Sequence, residues 1–136
     1  MARSIDLFAD TDAPLDDFAQ ELASLLALKL EACQDDLDTW YEIRTPKVVL
    51  TVGEHDFEPD RDMNFGEYRY HISVRALNTG NGDERREWID TFARQVFQKL
   101  KATGKYPLIL TDDLQTKLEE YQPSKLNVTP VAPVRI

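Results

Sequence analysis

The chain has 136 residues, with 25 acidic against 16 basic side chains and a formal net charge of −9. This length suits one domain with its own hydrophobic core, and the 42% hydrophobic content is ordinary for a globular protein. The acidity argues against binding to nucleic-acid phosphates or anionic lipid, and the single cysteine excludes an intrachain disulfide.

The first third of the chain predicts a strand followed by a helix. Residues 4–9 alternate as a short strand should, with Ile5 and Leu7 on one face. Pro14 suits the first turn of a helix that we expect to end at about residue 32. The apolar residues that recur at helical spacing are Leu15, Phe18, Leu22, Leu25, Leu26 and Leu30. The apolar stretch in this helix is too short to span a bilayer, and no secretory signal precedes it, so we expect a cytoplasmic protein.

The middle of the chain predicts strands around a polar loop. Residues 40–44 and 47–53 have strand character and are separated by Pro46, and residues 54–66 form the loop. Residues 68–76 then alternate more regularly than any other segment. The apolar set is Tyr68, Tyr70, Ile72, Val74 and Ala76, and the polar set is Arg69, His71, Ser73 and Arg75.

The last third predicts a helix from Asp83 to about Gly104, a strand at residues 107–111 and a brief helix ending at Tyr121. The resulting order is β-α-β-β-α-β, the split pattern of ferredoxin-like α+β folds. We therefore expect a four-stranded antiparallel sheet with both helices on one face. The expected domain covers residues 1–121, and residues 122–136 form a proline-rich tail that is extended or disordered.

The polar loop is the first candidate site, because it combines carboxylates with apolar anchors. Carboxylates steer and pair with basic groups, while an aromatic side chain in a partner's pocket supplies the buried contact. This combination predicts binding to a basic protein partner. The candidate contacts are Glu54, Asp56, Phe57, Glu58, Asp60 and Asp62. The alternative is a solvated connection whose aromatic residues fold back onto the core.

The polar row of the alternating strand is the second candidate. If the apolar row faces the helices, Arg69, His71 and Arg75 lie on the other face of the sheet, with Asp6 and Phe8 from the first strand beside them. Three cationic or hydrogen-bonding groups would suit an anionic metabolite. Small sensing modules with split βαβ folds often form dimers through sheet edges or faces, so a homodimer is one expected assembly. The alternative is a solvated face whose charges neutralise one another.

Metal and catalytic signatures are missing from the sequence. Counted from Asp56, a calcium loop would have Glu67 at its twelfth position, but Arg61 replaces the required glycine at the sixth. Two histidines and one cysteine form no recognisable zinc motif. There is no nucleophile elbow, phosphate-binding loop or dinucleotide fingerprint. We therefore expect a protein that is not an enzyme and needs no cofactor.

Three segments together resemble small bacterial immunity-type proteins that are encoded beside polymorphic toxins. They are APLDDFAQELASLL, GEHDFEPDRDMNFGEYRYHISV and LILTDDLQTKLEEY, within residues 3–121. The resemblance implies a non-enzymatic cytoplasmic protein that binds and blocks a cognate toxin. It would assign the partner contacts to the loop residues named above.

Overall fold

The computed structural model describes residues 5–55, 65–76, 82–112 and 116–123. Within these residues, seven strands form one antiparallel sheet, and two helices complete an α+β fold. The elements are β1 (Ile5–Ala9), α1 (Leu15–Leu26), β2 (Leu30–Gln34), β3 (Thr39–Arg44), β4 (Val48–Glu54), β5 (Tyr70–Ala76), α2 (Gly82–Thr103), β6 (Leu108–Asp112) and β7 (Thr116–Tyr121), with a 3₁₀ turn at Phe65–Glu67. Neither of these two helices is long and apolar enough to cross a membrane.

The prediction of a four-stranded ferredoxin-like sheet is wrong, because the sheet has the strand order β2-β3-β4-β5-β1-β6-β7. Three features extend it. The segment around Pro46 separates two strands, β3 and β4, that pair as a hairpin. The end of the predicted first helix is instead β2. The predicted terminal helix is instead β7, which pairs with β6.

Helix α1 ends at Leu26 because the next residue leaves the helical conformation. Ala27 has φ of 56° and ψ of 42°, and its N–H bonds to carbonyl oxygens of the last turn. Leu28 N–H donates to the carbonyl of Ala23 at 3.0 Å, which closes the helix end. The chain then reverses into β2. Helix α2 ends more conventionally, with Gly104 at a φ of 69°.

The main core lies between the helices and one face of the sheet. Strand residues at alternate positions, such as Leu7, Leu50 and Ile72, are fully buried there, and Phe18 and Phe97 contribute from the two helices. Burying such side chains contributes about 1.5–3 kcal/mol each. The predicted placement of both helices on one face is confirmed, and within the described residues the opposite face, here called the far face, carries no helix.

A second, smaller core lies on the far face. It consists of Phe8, Phe65, Tyr68 and Ile109. Phe65 stacks on Phe8 with ring centroids 4.5 Å apart, so the 3₁₀ turn covers β1 and β6. The side chains of β3, β4 and β5 on the far face lie outside this cluster.

Candidate functional site

The central strands β1 and β5 bring a carboxylate and an imidazole together on the far face. Asp6 is paired with Ser73 in the strand register, and Phe8 is paired with His71. Nε2 of His71 lies 2.7 Å from Oδ1 of Asp6, and Asp6 is only 2% exposed. The predicted position of Asp6 and Phe8 beside the polar row is therefore confirmed.

Aromatic rings fix the position of this imidazole. His71 stacks on Phe8 with ring centroids 4.9 Å apart, and the ring of His55 meets the same phenyl ring edge-on at 5.0 Å. Nε2 of His55 donates to the carbonyl oxygen of Tyr68 at 2.6 Å, since a carbonyl can only accept. These contacts hold His55 and His71 against the far face.

Beside this cluster lies a groove of about 740 Å³, here called the far-face groove. Its lining from the far face of the sheet includes Trp40, Thr51, Gly53, His71, Ser73 and Arg75. Trp40 packs closely against the backbone of Gly53. A Cβ atom at position 53 would lie only 3.3 Å from the Cβ of Trp40, so the glycine leaves room for this side chain. Trp40 donates its indole N–H to Glu42 at 3.4 Å and forms one flank.

Three carboxylates from separate segments lie at one end of the groove, here called the acidic end. They belong to Asp16 in the first turn of α1, Asp38 in the β2–β3 turn and Glu54 at the end of β4. Leu37 adjoins them and is 89% exposed. Aliphatic, aromatic and acidic groups therefore meet at this end.

The negative potential of the acidic end acts on a neighbouring phenol. Burial raises the pKa of Tyr70, Arg69 opposes that shift, and the carboxylates of Glu54, Asp16 and Asp17 add to it. The Tyr70 hydroxyl donates to the carbonyl of Ala13 at 2.5 Å and so remains a neutral donor. Burial is the largest cause of the raised pKa of Tyr70, and the carboxylates act in the same direction.

The other end of the groove is cationic. Val49 pairs with Arg75 and Glu54 with Tyr70, so about 17 Å of strand separates Arg75 from the acidic end. Among the residues that the structure describes, Arg75 has no ion-pair partner. Between the two ends of the groove, Oγ1 of Thr51 is buried and has no hydrogen-bond partner among the described residues.

The predicted loop contacts fall mostly outside the described residues. Asp56, Phe57, Glu58, Asp60 and Asp62 lie there, as does most of the predicted calcium loop. Glu54 is described, and it lines the acidic end while pairing with Arg69 at 3.5 Å. The structure therefore connects this loop to the far-face groove at its first residue.

Only two of the three residues predicted to bind an anion lie on the far face. His71 and Arg75 share the far face as predicted, but the placement of Arg69 there is wrong, and so is that of Tyr68 toward the helices. A bend at Arg69 precedes β5 and inverts the alternation. The Arg69 guanidinium lies 5.1 Å from the Tyr70 ring and donates to backbone carbonyls before α1.

The most informative site residues that the sequence did not predict are Asp16, Asp38 and Trp40. Acidic pairs were visible in LDDF and QDDLD, and Asp16 was assigned only to the helix start. Their meeting depends on the β2–β3 hairpin, which the sequence prediction lacked.

Within residues 5–55, 65–76, 82–112 and 116–123, no three histidine, cysteine, aspartate or glutamate side chains are placed so that they could hold one metal ion. Cys33 is a free thiol on β2, and burial together with the charges of Glu42 and Glu31 raises its pKa. It therefore stays protonated and poorly nucleophilic at neutral pH.

A second groove of about 830 Å³ runs along α2. Trp88 and Phe92 lie in it above Ile5 and Val48, and Nζ of Lys47 lies 4.8 Å from the Trp88 ring centroid. Its charged rim is mixed, with Arg86 and Arg94 beside Glu87 and Asp90. The two tryptophans of the chain thus lie in different grooves.

Comparison with protein-family models, curated proteins and solved structures found no match.

Proposed function

We propose that this chain is a cytoplasmic, non-enzymatic binding protein that takes a basic segment of a protein partner at the acidic end of the far-face groove. The observation that carries the proposal is that Asp16, Asp38 and Glu54 line the same groove as exposed Leu37 and half-buried Trp40. An arginine or lysine side chain can lay its methylene stem on the apolar groups and its charge among the carboxylates.

The net charge of the chain supports the same choice of partner. A charge of −9 speeds association with a basic protein and disfavours nucleic acid and anionic membranes. Inhibition of a basic toxin, which the resemblance to immunity-type proteins implies, is one role that such binding would serve. The loop from Asp56 to Asp62 would add carboxylates next to Glu54.

The experiment immobilises the wild-type chain and a neutralised variant, Asp16→Asn, Asp38→Asn and Glu54→Gln, and exposes both to lysate of the source cells. We expect the wild type to retain one basic protein at near-stoichiometric yield, and the neutralised variant to lose it. Raising the salt concentration should weaken retention, since the contact is exposed and ionic.

A matched control removes the same charge elsewhere. Glu84→Gln, Glu87→Gln and Asp90→Asn neutralise three carboxylates of α2, away from the far-face groove. This variant should retain the partner as the wild type does. Equal loss in both variants would mean that net charge alone decides retention, and undiminished retention by the first variant would refute the proposed site.

A second candidate function is the binding of a small anion at the cationic end of the groove. It is favoured by two far-face groups that have no partner among the described residues: the buried hydroxyl of Thr51, which lies opposite Ser73, and the guanidinium of Arg75. The neighbouring carboxylates already have hydrogen-bonding partners, because Asp6 contacts His71 and Glu42 accepts from Arg44 at 3.0 Å. The Arg75 guanidinium can therefore supply a net attraction for an anion.

Thermal denaturation with phosphate or citrate tests this second candidate. Either anion should raise the melting temperature of the wild type, and Arg75→Ala should abolish the shift. Arg69→Ala should leave the shift in place, because that guanidinium lies away from the groove's cationic end. A wild type that responds to neither anion would remove this candidate.

A further inference from the structure

The two edges of the sheet differ in their protection against pairing. The β7 edge carries Lys117, Glu119 and Glu120, and a register irregularity interrupts its pairing with β6. Charges and bulges of this kind block the addition of another strand. The β2 edge has neither proline nor irregularity, and Glu31 is its one charged residue. Among the described residues, β3 is the only strand that pairs with it.

The β2–β3 turn defines which backbone groups point away from the sheet. The N–H of Asp35 donates to the carbonyl of Asp38 at 3.0 Å, so this pair is hydrogen-bonded. Because hydrogen-bonded pairs alternate in an antiparallel ladder, Cys33 and Glu31 also bond to β3. The N–H and C=O groups of the remaining β2 residues therefore point outward. These residues are Leu30, Ala32 and Gln34.

The charges on and beside β2 favour antiparallel pairing with the β2 strand of a second copy in a particular register. If a twofold axis passes through Ala32, Lys29 lies opposite Asp35 of the other copy and Glu31 lies opposite Cys33. A shift of the axis by one residue toward Glu31 would place Glu31 opposite its own copy. A shift toward Cys33 would place Glu31 opposite Asp35. Like charges directly opposite one another destabilise a sheet, so charge favours the axis through Ala32 over both one-residue shifts.

In the same register, the exposed side chain of Leu37 would lie near Leu28 of the other copy. The β2–β3 turn of one copy then lies beside the segment between α1 and β2 of the other, where Leu28 is half-buried. Leu37 is the one large hydrophobic side chain that is strongly exposed among the described residues. Its burial on pairing would contribute about 1.5–3 kcal/mol per copy.

We propose that two copies of this chain pair antiparallel through their β2 edges, with a twofold axis at Ala32, and form one continuous fourteen-stranded sheet. This closed, isologous interface uses the same strand twice. It shares Leu37 with the proposed site for a basic partner, but it uses none of the three carboxylates of that site. Salt separates the two: self-pairing of chains with a charge of −9 strengthens as salt screens repulsion, whereas binding of a basic segment weakens.

Sedimentation velocity at increasing concentration tests the proposal. The wild type should dimerise, and 0.5 M salt should strengthen the dimer. Ala32→Pro removes one outward N–H without removing a bond to β3, so it should yield a monomer. Ala32→Val keeps the N–H and should still dimerise. A wild type that stays monomeric at several hundred micromolar would overturn the proposal.

A second variant remains informative if the proline substitution prevents folding. Lys29 is exposed, and Lys29→Glu would face Asp35 of the other copy, so dimerisation should weaken at least tenfold at low salt. An unchanged dimer in this variant would overturn the register.

Cross-linking at Cys33 tests the axis directly. With the axis at Ala32, the two Cys33 residues are diagonal neighbours about 7–8 Å apart. A short bis-maleimide should join them, whereas a direct disulfide should not form efficiently. Efficient disulfide formation would move the axis to Cys33 and overturn the proposed register.

Discussion

His71 on β5 and Asp6 on β1 form a buried contact of 2.7 Å at the centre of the sheet, 65 residues apart in the chain. Loss of either residue removes this contact from a polar group near the centre of the sheet. We expect Asp6→Ala to lower the free energy of unfolding by about 1–3 kcal/mol. A double-mutant cycle with His71→Ala, followed by urea denaturation, should give a coupling of about 0.5–3 kcal/mol. Additive single effects would show that the contact contributes nothing.

The 3₁₀ turn should depend on Phe65. This side chain is 3% exposed and stacks on Phe8, so Phe65→Ala removes much of the far-face core. We expect a loss of about 3–5 kcal/mol in the free energy of unfolding. Phe65→Leu retains most of the apolar volume and should cost clearly less. If urea denaturation finds the two variants equal, the second core does not stabilise the fold as described.

Ala27 occupies a left-handed backbone position that costs an ordinary residue about 1–2 kcal/mol. Ala27→Gly should therefore raise the free energy of unfolding by about 0.5–1 kcal/mol. The matched control is Ala102→Gly on an exposed position of α2, which should lower it by about 1 kcal/mol. Thermal denaturation of both variants checks the signs, and a destabilised Ala27→Gly would contradict the observed end of α1.

Tyr106 should make stability fall at alkaline pH. Burial, a hydrogen bond to Glu21 and the charge of that carboxylate raise the pKa of Tyr106 from 10.0 to about 12. Between these values the unfolded chain loses this proton and the folded chain keeps it. The stabilisation is therefore complete below pH 10 and is lost as the pH rises to about 12.

Urea denaturation across this pH range tests the effect. In Tyr106→Phe, the free energy of unfolding should decline less steeply with pH than in the wild type, because the contribution of Tyr106 is gone. Some decline should remain, since the pKa values of Tyr68 and Tyr70 are also raised by burial. Parallel declines would mean that Tyr106 ionises alike in the folded and unfolded chains.

The sequence correctly predicted the strands and the helix in which apolar residues recur regularly at strand or helix spacing. Strands β1, β5 and β6 and helix α2 all lie within a few residues of their predicted positions. The end of α1 was missed because Leu30 continues both the helical spacing and the apolar pattern of β2. The segment TKLEEY favours a helix by propensity, yet pairing with β6 makes it a strand.

The candidate site was harder to predict for the same reason. Strand alternation correctly assigned His71, Ser73 and Arg75 to one face, but it could not show the bend that removes Arg69. Asp38 reaches the groove only through the β2–β3 hairpin, a long-range consequence of pairing. Charge composition therefore indicates a class of partner but no place of contact, and the partner itself stays a prediction.

The central claim is that a basic group binds at the acidic end of the far-face groove, and the two tryptophans allow one direct measurement. In a ¹⁵N–¹H NMR titration with tetra-arginine, the indole signal of Trp40 reports this groove and that of Trp88 reports the groove along α2. We predict that the Trp40 signal moves, that the Trp88 signal does not, and that neutralising Asp16, Asp38 and Glu54 abolishes the movement. A Trp40 signal that stays in place, or that still moves in the neutralised variant, would contradict the account.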